Sequence, residues 1–352
     1  MKRIFILVVV MLAAVGLFAD EAVLIDFTKF ARDIIPAPGQ DSEMTQNRAT
    51  LMDYGAKAGA SFTQEQKGMM RTSLALKNWT VRLNSSARSS IREINSYVDE
   101  AESKLYGTVM GVRISFPTEP WNSNAFIKPP FEIPAYDFST ISDAGEVAEP
   151  ESSDSSQRSR FEGTADGDVE GVKQAFGVVK NVGAIKQVAV HVYGLNFPHS
   201  LSVILIDNNG NEKMFHVDYL NFDGWRDVIW INPAYIQEVR NRELRLEPLY
   251  PTATPFVKFG GFLIKRDADK IGGDFITYFR DVKIIYDKAV LDPDRDINDE
   301  GLWHIIGRRE DAKKRWEMSR FGENQILQYL EQQKKATESA FTQSPSKDGG
   351  TN

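Results

Sequence analysis

Residues 183–233, GAIKQVAVHVYGLNFPHSLSVILIDNNGNEKMFHVDYLNFDGWRDVIWINP, decide the fold class. Val188, Val190 and Val192 alternate with Gln187, Ala189 and His191, the period of a strand with one face on a core. SLSVILID then runs into Asn208-Asn209-Gly210-Asn211, and Phe215, Val217 and Tyr219 resume the alternation. Residues that tolerate positive φ thus stand where a tight hairpin needs them. DGWRDVIWINP follows with Trp225, Ile229 and Ile231 at strand spacing, ending on a proline.

Outward from this stretch the same period recurs. AVLIDF (22–27), Trp79-Val81-Leu83, Val112-Ile114-Phe116 and Val282-Ile284-Tyr286 each read as a strand. RNRELRLEPLYP and FVKFGGFLIKRD add short runs, the second with a Gly260-Gly261 pair that signals a bulge. Ala125–Ile127 and Phe131–Ile133 flank Pro129-Pro130, which suits an edge strand or a strand ended by prolines. Thr63 and Gln66 form a capping box for a short helix. Many short strands separated by Gly, Pro and Asn turns predict an all-β, jelly-roll-like antiparallel sandwich over residues 20–292.

Two regions depart from that pattern. Residues 139–171 are rich in Ser, Asp, Glu and Gly, bury too little to offset their ordering, and are expected to form a mobile acidic insertion. From residue 293 the period becomes helical: Ile305, Ala312 and Trp316 fit one face, and Ile326, Leu327 and Leu330 another beyond Gly322. The expectation is a helix, a break and a shorter helix over 293–335, then a disordered tail over 336–352.

Composition narrows the function classes. Of 352 residues, 42% are hydrophobic and 26% charged, an ordinary globular balance. Met1-Lys2-Arg3 precedes an apolar run and Ala19-Asp20, so residues 1–19 read as a secretory signal. Leu17 departs from the usual small residue, which leaves the cut site open; the alternative is an uncleaved anchor. Removing Lys2 and Arg3 takes the formal charge from −7 to −9 (−7 − 2), which argues against nucleic acid. The absence of cysteine excludes disulfides and a lipid anchor, so an exported form would be periplasmic without a membrane attachment.

No motif fixes a catalytic, metal or cofactor site. The four histidines, His191, His199, His216 and His304, show no metal-ligand spacing. DNNGNE (207–212) offers oxygens for calcium but is equally a hairpin turn without the downstream EF-hand Glu. GGDF (272–275) reads as a turn before a strand. GxSxG, P-loop and GxGxxG patterns are missing. Trp121, Trp225, Trp230 and Tyr250 fall near loops or strand ends, where they would supply a platform for a glycan or partner chain, or else fill the core.

GVVKNVG continuing into the 183–233 stretch, with GTVMGVRISFPTEPWNSNAFIKPPFEIP upstream and FITYFRDVKIIYD downstream, resembles the spirochaete flagellar filament outer-layer (FlaA sheath) family over residues 21–292. The resemblance implies a non-enzymatic coat of the periplasmic flagellum, with core flagellins and neighbouring copies as partners. A periplasmic glycan-binding jelly roll is the alternative. In the coat reading Trp303, Ile306 and Trp316 either cover their own sandwich or bridge to a neighbouring subunit.

Overall fold

In the computed structural model, residues 20–30, 50–135, 140–141, 147–148, 161, 175–233, 235, 255–289 and 303–342 are described. The strands are β1 (Asp20–Asp26), β2 (Met52–Asp53), β3 (Arg71–Thr72), β4 (Thr80–Leu83), β5 (Tyr97–Ser103), β6 (Gly107–Phe116), β7 (Ser123–Lys128), β8 (Thr140–Ile141) and β9 (Val147–Ala148). They continue as β10 (Val178–Lys180), β11 (Val182–Leu195), β12 (Ser200–Ile206), β13 (Glu212–Tyr219), β14 (Asp223–Ile231), β15 (Phe256–Arg266) and β16 (Gly273–Lys288). The helices are α1 (Gln64–Met69), α2 (Ser90–Ile94) and α3 (Ile305–Thr342).

Two antiparallel sheets make the sandwich. One runs β14-β11-β16-β6-β5, the other β13-β12-β15-β7-β4. In each, a long central strand is shared: β1 pairs with the second half of β16 and β6 with the first. Likewise β10 and β7 divide β15. The chain crosses between sheets from β10 to β11, β11 to β12 and β13 to β14, the jelly-roll manner of placing both inner faces on one core. That core holds Phe27, Trp79, Phe259, Phe262 and Phe279, with Phe262 and Phe279 stacked across the sheets at 4.2 Å.

Local sequence signals explain the elements. Val188, Val190 and Val192 are fully buried, as their period requires. The β12–β13 turn has Gly210 at φ 77°, and the Asp207 carboxylate accepts the N–H groups of Asn209 and Asn211 at 2.9 and 3.0 Å. Those oxygens serve the turn, with Lys213 at 3.3 Å, which accounts for DNNGNE without calcium. In β15 the Gly260-Gly261 pair makes the expected bulge: Ile204 pairs with Gly261 and Leu205 with Phe259. Gly261 has φ 130° and faces the Ile127 carbonyl so closely that no side chain fits. The capping box closes α1, with Thr63 N–H on Gln66 and Gln66 N–H on Thr63.

Trp225, Ile229 and Ile231 share one face of β14, the outer one: Ile229 and Ile231 are exposed, while Val228 and Trp230 turn inward. Strand β5 carried too little apolar alternation to be read as one. The helix does not break at Gly322 and does not end at residue 335; α3 is continuous to Thr342. The reason is contact: a Cβ on Gly322 would lie 2.2 Å from Lys57 Cδ, so this glycine permits a close crossing. The signal, most of the 139–171 insertion, RNRELRLEPLYP and residues 343–352 lie outside the described residues.

Candidate functional site

The two outer sheet faces differ in what they carry. The β13–β12–β15–β7–β4 sheet carries the second half of α3, in which Gln325 and Tyr329 are buried and Ile326 and Leu330 half-buried. Arg82 of β4 pairs with Glu331 at 2.6 Å, and Asn324 Nδ2 donates to Glu132 Oε2 at 3.0 Å. Glu132 also receives Lys258, itself buried within β15, at 3.0 Å. Burial works to raise the Glu132 carboxyl, but Lys258, Arg320 and Asn324 outweigh it and hold it below the ordinary carboxylate range.

Between helix and sheet lies a cleft of about 370 Å³ lined by Arg82, Lys128, Glu132, Glu212, Asn324 and Glu331 among others. Its charged groups face one another: Lys128 meets Glu212 at 2.8 Å between two strands, and the Arg82–Glu331 and Asn324–Glu132 contacts fasten the helix to the sheet. Within residues 320–331 the helix therefore covers its own sandwich. The part ahead of it is different: Trp303, which precedes α3, and Ile305 and Trp316 within it are 61%, 49% and 54% exposed. Arg320 stacks 4.2 Å above the Trp316 ring. Ile306 lies in the helical backbone, but its side chain is outside the described residues.

The opposite sheet presents an aromatic cluster on its outer face. Trp225 of β14 stacks on His191 of β11, centroids 5.1 Å apart and planes within 6°. Tyr106 from the β5–β6 turn stands edge-on to both, and Tyr193 edge-on to Trp225. Arg280 lies 4.4 Å over Tyr106. His191 Nδ1 meets Asp227 at 2.5 Å, while Asp281 behind it is buried; burial pushes its carboxyl up against the pull of Arg280, Lys283 and His191. Strand register explains the grouping, since His191 opposes Asp227 and Tyr193 opposes Trp225. Along β14 the row continues through Ile229 and Ile231.

The four aromatics expected at a platform are therefore not gathered. Trp225 faces outward, whereas Trp230 packs on Phe215 at 4.4 Å on the inward side. They lie five positions apart, an odd offset, so a strand puts them on opposite faces. Trp121 is 44% exposed in the β6–β7 loop, and among the described residues no ring contact joins it to either. Its carbonyl and that of Glu119 accept from the buried Arg266 guanidinium, at 3.3 and 3.0 Å. Tyr250 lies outside the described residues. Tyr106, Tyr193 and Arg280 were not singled out by sequence; His191 was read on the polar face of KQVAVHVYG, and Tyr193 continues that row.

The fold and its surfaces define an antiparallel β-sandwich with one sheet face clasped by a helix and aromatic residues displayed elsewhere. Residues 43–295 match the family model for the flagellar filament outer layer protein. The chain is 47% identical over 351 residues to the flagellar filament outer layer protein of Treponema pallidum, covering 97% of each chain. It is 40% identical over 334 residues to that of Spirochaeta aurantia, covering 93% of this chain and 91% of the relative. With that of Borreliella burgdorferi the identity is 31% over 289 residues, covering 80% and 73%. The chain belongs to the flagellar filament outer layer protein family. A family 11 carbohydrate-binding module from Clostridium thermocellum aligns over 62% of this chain and 91% of its own at 8% identity and TM-score 0.28, too low to bear on ligand.

Proposed function

We propose that this protein is a structural component of the periplasmic flagellum that coats a core filament of flagellins and contributes to its shape and stiffness. The observation that carries this reading is the 47% identity maintained over 97% of both chains with a flagellar filament outer layer protein. The surfaces agree with it. A chain without cysteine cannot attach through a disulfide, and a modest non-covalent contact repeated along a filament gains avidity from its neighbours.

Export fits the same reading. Residues 1–19 have the basic and apolar regions of a secretory signal, and the first sandwich strand begins at Asp20, which reaches Lys288 at 3.2 Å. A cut after Ala19 would thus leave β1 whole. Catalysis plays no part in the proposal. The test is co-sedimentation of the purified protein with filaments from a strain lacking it; saturable recovery in the pellet is expected, and recovery no greater than without filaments would overturn the coat role.

A further inference from the structure

We propose that the first half of α3 in one copy packs on the outer face of the β14-bearing sheet of the next copy, making the coat a head-to-tail polymer. This rests on the coat reading and specifies the contact between neighbours.

The donor surface is apolar and basic. Trp303, just ahead of α3, and Ile305 and Trp316 on it stay about half or more exposed, even though Trp316 also borders the Asp207–Gly210 turn of its own sandwich, and that is a large apolar surface for a helix end that serves only its own chain. Residues 303–320 carry Arg308, Arg309, Lys313, Lys314, Arg315 and Arg320 against Glu310, Asp311 and Glu317, a formal charge of +3 (6 − 3). The whole chain is −7, so the remainder is −10 (−7 − 3). A basic segment on an otherwise acidic molecule is attracted to other copies of that molecule.

The acceptor surface is the outward row of β14. Trp225, Ile229 and Ile231 present apolar surface, and the exposed Asp223 and Asp227 alternate with them. Among the described residues no helix covers this row. Dimensions agree: residues 305–316 span about 18 Å of helix, and β14 about 30 Å of strand.

Geometry selects a second copy as the occupant. Glu331, Asn324, Tyr329 and Gly322 hold α3 on the side of the β13–β12–β15–β7–β4 sheet. The β14 row lies on the far side of the core, out of reach of the same chain's helix. Donor and acceptor are different surfaces on opposite sides of the sandwich, so the contact is heterologous and repeats without closing into a symmetric dimer.

Since the chain has no cysteine, introduced thiols report the contact cleanly. Full-length Arg309→Cys and Ile229→Cys proteins, and the double variant, would be bound to filaments, and also concentrated without them, then treated with a short bismaleimide. A heterodimer only in the mixture and a ladder from the double variant are expected. Adding Trp303→Ala and Trp316→Ala should lower the ladder yield roughly tenfold, the effect of losing an aromatic anchor. Dimers from either single variant alone, cross-links to flagellin in place of the ladder, or no cross-link in either setting would overturn the contact. Co-sedimentation of the untreated protein is scored separately, so failure of the contact and failure of the coat reading give different results.

Discussion

Gly322 of α3 lies directly on Lys57: a methyl group added to the glycine would stand 2.2 Å from Lys57 Cδ and 2.7 Å from its Cβ. The second distance matters more, because rotating the lysine side chain cannot move its Cβ. The crossing holds the helix on the sandwich, and it needs the missing side chain.

Gly322→Ala gains about 1 kcal/mol of helix propensity but forces an overpacked contact costing about 1–3 kcal/mol. With backbone having to shift, the cost wins. A lowered melting temperature and faster proteolysis within α3 are expected; an unchanged or raised melting temperature would contradict the docking described.

The ion pairs that fasten α3 should differ in weight. Arg82 and Glu331 are both substantially exposed, so Glu331→Gln should cost under ~1 kcal/mol. Glu132 is hydrogen-bonded to the buried Lys258, and Glu132→Ala strips that ammonium of its carboxylate, costing about 3 kcal/mol or more. Denaturant titration of the two variants checks the order; equal losses would show that the buried pair does not anchor the helix.

His199 sets a pH dependence. Burial among Phe116, Phe197 and Phe275, with Arg266 nearby, pushes its imidazole down to about 4, and neither ring nitrogen has a hydrogen-bond partner. The unfolded chain binds a proton near pH 6.5 and the folded one only near pH 4. The stability present above pH 6.5 is therefore lost progressively as pH falls to 4, by about 3 kcal/mol at most. Comparing wild type with His199→Phe by denaturation at several pH values should show a steeper loss of stability across that window in the wild type; equal slopes would contradict it.

Trp225 and Trp230 should separate stability from assembly. Trp230→Ala opens a void beside Phe215 and should cost about 3 kcal/mol. Trp225→Ala removes outer-face stacking and should cost about 1 kcal/mol, yet weaken filament decoration far more than its stability loss explains. Melting and co-sedimentation on both variants check this, and the reverse order would sink the assignment of faces.

Sequence made most of the sandwich legible because its signals are local. The valine alternation of β11, the Asn-Gly turn and the Gly-Gly bulge each act within a few residues. What it hid depends on distant partners. Gly322 looks like a helix breaker until Lys57 is placed against it, and Tyr106 joins His191 only through strand order. The face of β14 was not legible for another reason: Val228 and Trp230 are as apolar as Ile229 and Ile231, so both registers satisfy the same letters. Nothing local indicated that α3 would run past Ala336.

The coat role is tested most directly by immunogold labelling of isolated filaments, with antibody against the folded protein, in the wild type and in a deletion strain. Label distributed along wild-type filaments is predicted, together with unlabelled filaments of altered shape or stiffness in the deletion strain. Wild-type filaments without label, or a deletion strain with no filaments at all, would contradict it.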